Sequence, residues 1–483
     1  MKFNIKEKFN DFVNNTKDYP LLAGFSVGFY AFVFYFSNNF DLVNSWNQVL
    51  FFFAYFIVFP SATIFVIFKL LQKSNYSNFI PRVIVASIVF FGAIFIIGIP
   101  VLFVSYKRIA LFSFVILFIL FLKIKNHKYV IVFVFLLSVL PVFKLGKIIY
   151  LNFTNSTEWQ VQPDAILETK FRKKPNVYYI QPDGYANEIN LNDPLYQYDN
   201  SEFDSWLQDR KFTLYNDYRS NYESTMYSNS SCFYMKHHFS NEFSKFKYAR
   251  DFIVGRNPVL EIFKKNNYKT FFITERPYLL MNRPNVYYDY CNFKSEELPH
   301  FNDGWSNFKE ITNEIENQIL SNKKTNNFFF IEKFKPGHIG VYKNGNLGVE
   351  RERMEYIKRL KLANDWLKQI VTFIEKNDPN SIVIIGADHG GFVGFEYTLQ
   401  AQNKITDCNL LNSVFGAKLA IKWNDPNHTE YDAKLKTSVN LFRTVFSYLS
   451  GDKLLLNYMQ PNTSYNSYDA SDSTKVYKAI EDK

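Results

Sequence analysis

Cysteine is scarce: Cys232, Cys291 and Cys408 are the only three in 483 residues, far apart and without a CxxC or CxxH pair. That excludes a disulfide-stapled scaffold and a thiolate metal cluster, and leaves room for one disulfide at most. Glycine and proline are also few, 18 and 17, which excludes collagen-like and low-complexity architectures. Net charge is missing from most of the chain. The formal +10 lies wholly in residues 1–150, with 14 Lys+Arg against 4 Asp+Glu, while residues 151–483 hold 41 of each. A basic excess confined to the flanks of apolar segments is a topology signal and not a polyanion-binding face, so the sequence predicts no nucleic-acid partner. Aromatic side chains are abundant instead: 53 Phe, 33 Tyr and 6 Trp. At roughly 100–200 residues per domain, a chain of this length holds two to four units, each able to bury a core.

Residues 1–150 read as a transmembrane domain of about five spans, at 19–36, 49–71, 83–104, 109–122 and 129–143. A helix needs about 20 residues to cross roughly 30 Å of hydrocarbon, so the fourth and fifth are short, and the fourth is also readable as a buried or re-entrant segment. Pro60 is expected to kink the second span without breaking it. The first stretch follows a polar leader and precedes further spans, which is not the pattern of a cleaved signal peptide. Basic residues alternate between loops. Lys2, Lys6, Lys8 and Lys17 mark the tail, Lys69, Lys73 and Arg82 the second loop, and Lys123, Lys125 and Lys128 the fourth; the first loop has none and the third only Lys107 and Arg108. The N-terminus is therefore expected inside and, with five spans, the C-terminal part outside the cytoplasm.

Residues 151–172 read as a linker, 173–455 as the main folded domain and 456–483 as a C-terminal tail, either a surface strap or a poorly ordered end. Short β-rich runs at 176–181, 269–274, 327–332 and 381–386 alternate with helical patterns at 258–265, 305–320 and 349–375. Alternation of buried-looking strands and helices predicts an α/β domain, with a mainly parallel sheet covered on both faces. Sites in such sheets lie beyond the carboxyl ends of the strands.

Two of those ends carry aspartate beside glycine: Gln181-Pro182-Asp183-Gly184 and Ala387-Asp388-His389-Gly390-Gly391. A lone Asp-Gly is also just a turn. Asp388 followed by His389 is more specific, since it sets a hard oxygen beside an imidazole nitrogen, as a Zn²⁺ or Mn²⁺ site needs.

Four stretches, in order, resemble the alkaline phosphatase/sulfatase superfamily, and within it the multi-pass membrane enzymes typified by lipoteichoic acid synthases and phosphoethanolamine transferases. They are PNVYYIQPDGYA (175–186), RSNYESTMYSNSS (219–231), VIIGADHGG (383–391) and SVNLFRTVFSYL (438–449). The resemblance implies a five-helix transmembrane bundle followed by a sulfatase-like catalytic domain. It implies one divalent ion, Zn²⁺ or Mn²⁺, held by Asp183, Thr225, Asp388 and His389, with Thr225 of the T-x-x-S pattern as nucleophile. Ser224 is the second candidate, and by residue type alone Thr225 is equally a helix-cap residue. His338 is implied to bind substrate or to protonate the leaving group, and by itself is also readable as a loop histidine. His237 and His238 are expected to be structural.

Departures from the pattern matter as well. Phe334 stands where the two-metal branch has aspartate, Asp183 where the transferases often have glutamate, and Glu223 adds a carboxylate two residues before Thr225. That carboxylate could repel a phosphate, bind the ion or face solvent. Cys232 lacks the C-x-P-x-R context of formylglycine sulfatases. The expected activity is transfer of a phospho-head group, of phosphoethanolamine or phosphoglycerol type, from a phospholipid donor to an extracytoplasmic envelope glycan or lipid acceptor at the cell membrane. The alternatives are a membrane-anchored phosphodiesterase or phosphatase, and a non-catalytic envelope assembly protein of the same fold.

Overall fold

The computed structural model describes residues 5–98, 115, 126–154, 156–238, 249–301, 304–305, 307–470 and 473–482. The chain divides into two units. One comprises Met1–Thr154, Met281–Arg283 and Pro299–Asp303; the other comprises Asn155–Leu280, Pro284–Leu298 and Gly304–Lys483.

In the first unit, four helices among the described residues are long and apolar enough to cross a membrane: Pro20–Leu42, Trp46–Gln72, Ser77–Phe95 and His127–Thr154. The expected segment at 109–122 lies outside the described residues, apart from Val115. The stretch expected at 129–143 is part of a 28-residue helix, because Lys144 and Lys147 continue it beyond the apolar run. Pro60 is accommodated by a π-helical turn at Ala54–Val58, just ahead of the residue that cannot donate a backbone hydrogen bond. Close helix packing rests on Gly24 and Gly28. A Cβ at Gly24 would lie 2.3 Å from Ser61 Cα, and one at Gly28 would lie 2.1 Å from the Phe56 carbonyl oxygen.

The second unit is built on a seven-stranded sheet. Its strands are β1 (Val177–Pro182), β2 (Phe212–Leu214), β3 (Tyr268–Thr274), β4 (Tyr290–Cys291), β5 (Asn326–Lys333), β6 (Ile382–Gly386) and β7 (Leu419–Lys422), in the order β2-β7-β6-β1-β5-β3-β4. The run from β6 to β4 is parallel, and β7 pairs antiparallel with both β6 and β2. The parallel register explains where many of the aromatic residues go. On one face Phe271, Phe329 and Tyr178 stack across three strands at centroid spacings of 4.4 and 4.9 Å; on the other, Phe272, Phe330 and Tyr179 stack at 5.2 and 5.4 Å.

Helix α1 (Thr225–Tyr234) packs on the second of these faces through Phe233, 5.1 Å from Phe330, and α2 (Pro258–Lys265) joins it there through Phe263, 4.1 Å from Phe328. The opposite face carries α3 (Val349–Asn377), whose Trp366 ring lies under the Lys333 ammonium group. A further helix on the α1 side, α4 (Leu441–Ser450), holds the fully buried Arg443. The pattern expected as a helix over 305–320 becomes helical only at Thr312, and Trp305 instead lines a cavity. The tail expected as a strap or a loose end folds into an antiparallel hairpin, β8 (Ser464–Ala470) with β9 (Ser473–Ile480). It is tied down by the Tyr465 N–H, which donates to the Asn221 carbonyl at 2.8 Å.

Candidate active site and metal centre

Asp183 follows β1 and Asp388 follows β6, neighbouring parallel strands whose carboxyl ends open on the same edge of the sheet. Gly184 makes the turn possible. It adopts φ +64°, and a Cβ there would lie 2.6 Å from the Gly337 carbonyl oxygen. Its N–H donates to Asp388 Oδ1 at 3.2 Å. Thr225 begins α1, immediately after the extended Ser224. Its hydroxyl donates to Asp183 Oδ1 at 3.3 Å and lies 3.3 Å from His389 Nε2. His389 Nδ1 is 2.8 Å from the Gly390 carbonyl, so Nδ1 carries the donated proton and Nε2 faces the two carboxylates, 3.3 Å from Asp388 Oδ2 and 3.8 Å from Asp183 Oδ1.

Asp183, Asp388 and His389 offer ligand atoms within 4.8 Å of one another, and among the described residues this is the one such group of three or more. The donor set, two hard oxygens and one imidazole nitrogen, suits Zn²⁺ or Mn²⁺. Asp388 Oδ2 supplies the fit: it is buried without a hydrogen-bond partner among the described residues, as a carboxylate oxygen reserved for a cation would be. The electrostatics agree. Burial and then the Asp388 carboxylate push Asp183 up to about 7. For His389, burial opposes the charged ring, but Asp388 and Asp183 outweigh it and the net direction is upward. Negative charge accumulated away from water is thus compensated by protons.

The remaining residues singled out from the sequence fall into two sets. His338 lines the same cavity of about 110 Å³ as Asp183, Glu223, Ser224, Thr225 and His389, with its ring 6.0 Å from that of His389. Its Nδ1 is 2.7 Å from the Ile339 carbonyl, and burial followed by His389 lowers it to about 4, so the neutral ring keeps a bare Nε2. Ser224 lines the cavity, but its hydroxyl is buried without a partner and touches neither Asp183 nor His389. His237 and His238 lie elsewhere. Their Nε2 atoms contact the Pro461 and Tyr227 carbonyls at 2.8 and 2.9 Å, and burial holds both near 4. Cys232 is fully buried, and burial raises its thiol well above the ordinary range.

Sequence reasoning missed the rest of the cavity's lining. Tyr278, Trp305 and Thr398 come from segments remote in sequence with no motif to connect them, Phe392 directly follows the Asp388-His389-Gly390-Gly391 run and was reachable from it, and Phe334 was noticed only as a departure.

No family model and no curated protein matches the sequence. Solved structures do match. The chain is similar to phosphoethanolamine transferases and sulfatases. The integral membrane protein lipooligosaccharide phosphoethanolamine transferase A (EptA) from Neisseria meningitidis is 13% identical, with 89% of this chain and 95% of that one covered and a TM-score of 0.46. The C-terminal periplasmic domain of EcEptC from Escherichia coli, in complex with Zn, is 11% identical over 64% and 93%, with a TM-score of 0.43. A putative sulfatase, yidJ, from Bacteroides fragilis is 10% identical over 63% and 84%, with a TM-score of 0.40.

Proposed function

We propose that the chain is a membrane-bound, metal-dependent phosphotransferase that moves a phospho-head group from a phospholipid to a hydroxyl of an envelope glycan or lipid outside the cytoplasm, through a phosphothreonine at Thr225. The observation that carries this reading is the position of the Thr225 hydroxyl, 3.3 Å from both Asp183 Oδ1 and His389 Nε2, at the N-terminus of α1. A threonine hydroxyl there is oriented by two ligand-type side chains, and the helix N-terminus favours phosphoryl oxygens.

Asp183, Asp388 and His389, with Thr225, would hold the ion. When bound, a divalent cation lowers the cost of ionising the threonine hydroxyl and offsets the negative charge of the phosphoryl group. The residues of the chain do the rest. Hydrogen bonding of His389 Nδ1 to Gly390 fixes the ring and aims Nε2 at the site. Thr225 Oγ forms the bond to phosphorus as the bond from phosphorus to the diacylglycerol oxygen breaks. His338 Nε2 is suited to pass the threonine proton to that leaving oxygen; in the second step, as the acceptor oxygen bonds to phosphorus and the bond to Thr225 Oγ breaks, it is suited to pass the acceptor's proton back to Thr225.

The test is the mass of the Thr225-containing peptide from full-length protein purified from membranes, beside a Thr225→Ala control. An added phospho-group on Thr225 is the expected result, and its mass identifies the head group. An unmodified peptide from metal-loaded protein that releases free head group would favour the phosphodiesterase reading. An unmodified peptide from protein with no affinity for Zn²⁺ or Mn²⁺ would favour a non-catalytic role.

A further inference from the structure

The cavity beside Thr225 is lined by groups of two kinds. Asp183, Thr225, His338 and His389 are suited to a phosphoryl centre. Glu223, Tyr278, Trp305 and Phe334 line the same cavity and are not needed for that centre. Glu223 is out of place if the substrate brings only negative charge, since a carboxylate lining a small cavity repels phosphoryl oxygens. It is nevertheless held firmly. Ser467 Oγ, from the C-terminal hairpin, donates to Glu223 Oε1 at 2.7 Å, while Oε2 is buried with no hydrogen-bond partner among the described residues. Glu223 does not belong to the group of candidate metal ligands. A fixed carboxylate with one unused oxygen, set beside a phosphoryl site, is what a positively charged substituent a few bonds from phosphorus would require.

The aromatic part of the lining is one packed cluster: the Trp305 and Phe334 rings meet at 5.3 Å and 78°, and Tyr278 and Phe334 at 6.3 Å and 82°. A cavity of about 110 Å³ limits the guest to a small head group.

We propose that Glu223, held by Ser467 in the cavity it shares with Thr225, is the specificity-determining group of the site, selecting an ammonium-bearing phospho-head group over a neutral glycerol one; this rests on the phosphotransferase reading above. In the reaction the ammonium group keeps its bonds and charge. Only the bond from phosphorus to the diacylglycerol oxygen breaks as the Thr225 oxygen bonds to phosphorus, and the threonine proton leaves on diacylglycerol.

The experiment uses the full-length, metal-loaded protein in vesicles containing phosphatidylethanolamine, phosphatidylcholine or phosphatidylglycerol at equal mole fraction. Diacylglycerol release and the mass added to Thr225 are read together. At least one of the two ammonium lipids is expected to react faster than phosphatidylglycerol by about 10- to 100-fold, the range of a charge-assisted contact. The ratio between those two separates a primary from a quaternary ammonium group. Glu223→Gln, nearly isosteric, is expected to collapse the preference while keeping the metal content, and Ser467→Ala to shift it in the same direction by a smaller factor. Equal or faster reaction with phosphatidylglycerol would overturn the proposal. So would a Glu223→Gln protein that slows all three lipids alike or loses its metal. No reaction with any of the three would overturn the phosphotransferase reading itself, and the proposal with it.

Discussion

Asp183 and Asp388 approach one another because their strands are adjacent, and the basic group set between them is the His389 imidazole. In the metal-free chain Asp183 keeps its proton to about 7, against 3.8 in the unfolded chain. Folding therefore binds a proton between those values, and the metal-free protein loses stability as pH rises from about 4 to about 7. Metal competes with the same proton. Affinity for Zn²⁺ or Mn²⁺ is expected to rise with pH up to about 7 and to flatten above it, measurable by equilibrium dialysis between pH 5.5 and 8. Asp388→Asn replaces a carboxylate whose Oδ2 has no hydrogen-bond partner among the described residues. It is expected to lower both metal content and turnover, the latter by at least about a thousandfold; retained metal and activity would refute the ligand assignment.

At the scale of elements, the linker and helix α4 are tied together by a buried ion pair. Arg443 donates to Asp164 Oδ2 at 2.6 Å, to the Leu455 carbonyl at 3.0 Å and to Gln162 Oε1 at 3.2 Å. Removing one partner leaves a charge stranded away from water. Asp164→Ala is expected to cost about 3–5 kcal/mol, read as a lowered midpoint of thermal unfolding. In the first unit the contact of Gly28 with the Phe56 carbonyl leaves no space for a side chain. Gly28→Leu is expected to cost at least about 1–3 kcal/mol of helix packing, visible as early thermal aggregation in detergent. Strands β1, β3, β5 and β6 were legible in the sequence because a strand buried on both faces reads as a continuous apolar run. The three residues of β2 and the four of β7 were not, being too short to give a period.

At the scale of the whole molecule, the apolar helices and the charge alternation of the loops predict which side of the membrane each end occupies. With five crossings, a reporter fused after Lys483 is expected to be active only outside the cytoplasm. Activity inside would mean an even number of crossings, and would remove the phospholipid donor on the outer side from the proposed reaction.

The sequence by itself determined four of the apolar membrane-length segments, the α/β character of the second unit, and Asp183, Asp388 and His389 as candidates. Each of these depends on local pattern: apolar runs, strand ends and short motifs; Thr225 was singled out only through the family resemblance. Tertiary structure decided which atoms meet. It set the Thr225 hydroxyl between Asp183 and His389 and left Asp388 Oδ2 without a hydrogen-bond partner among the described residues. It also turned the last residues into a hairpin that reaches Glu223 across 244 positions of chain. Such contacts arise from the crossing of the sheet by segments remote in sequence, and no local pattern encodes them.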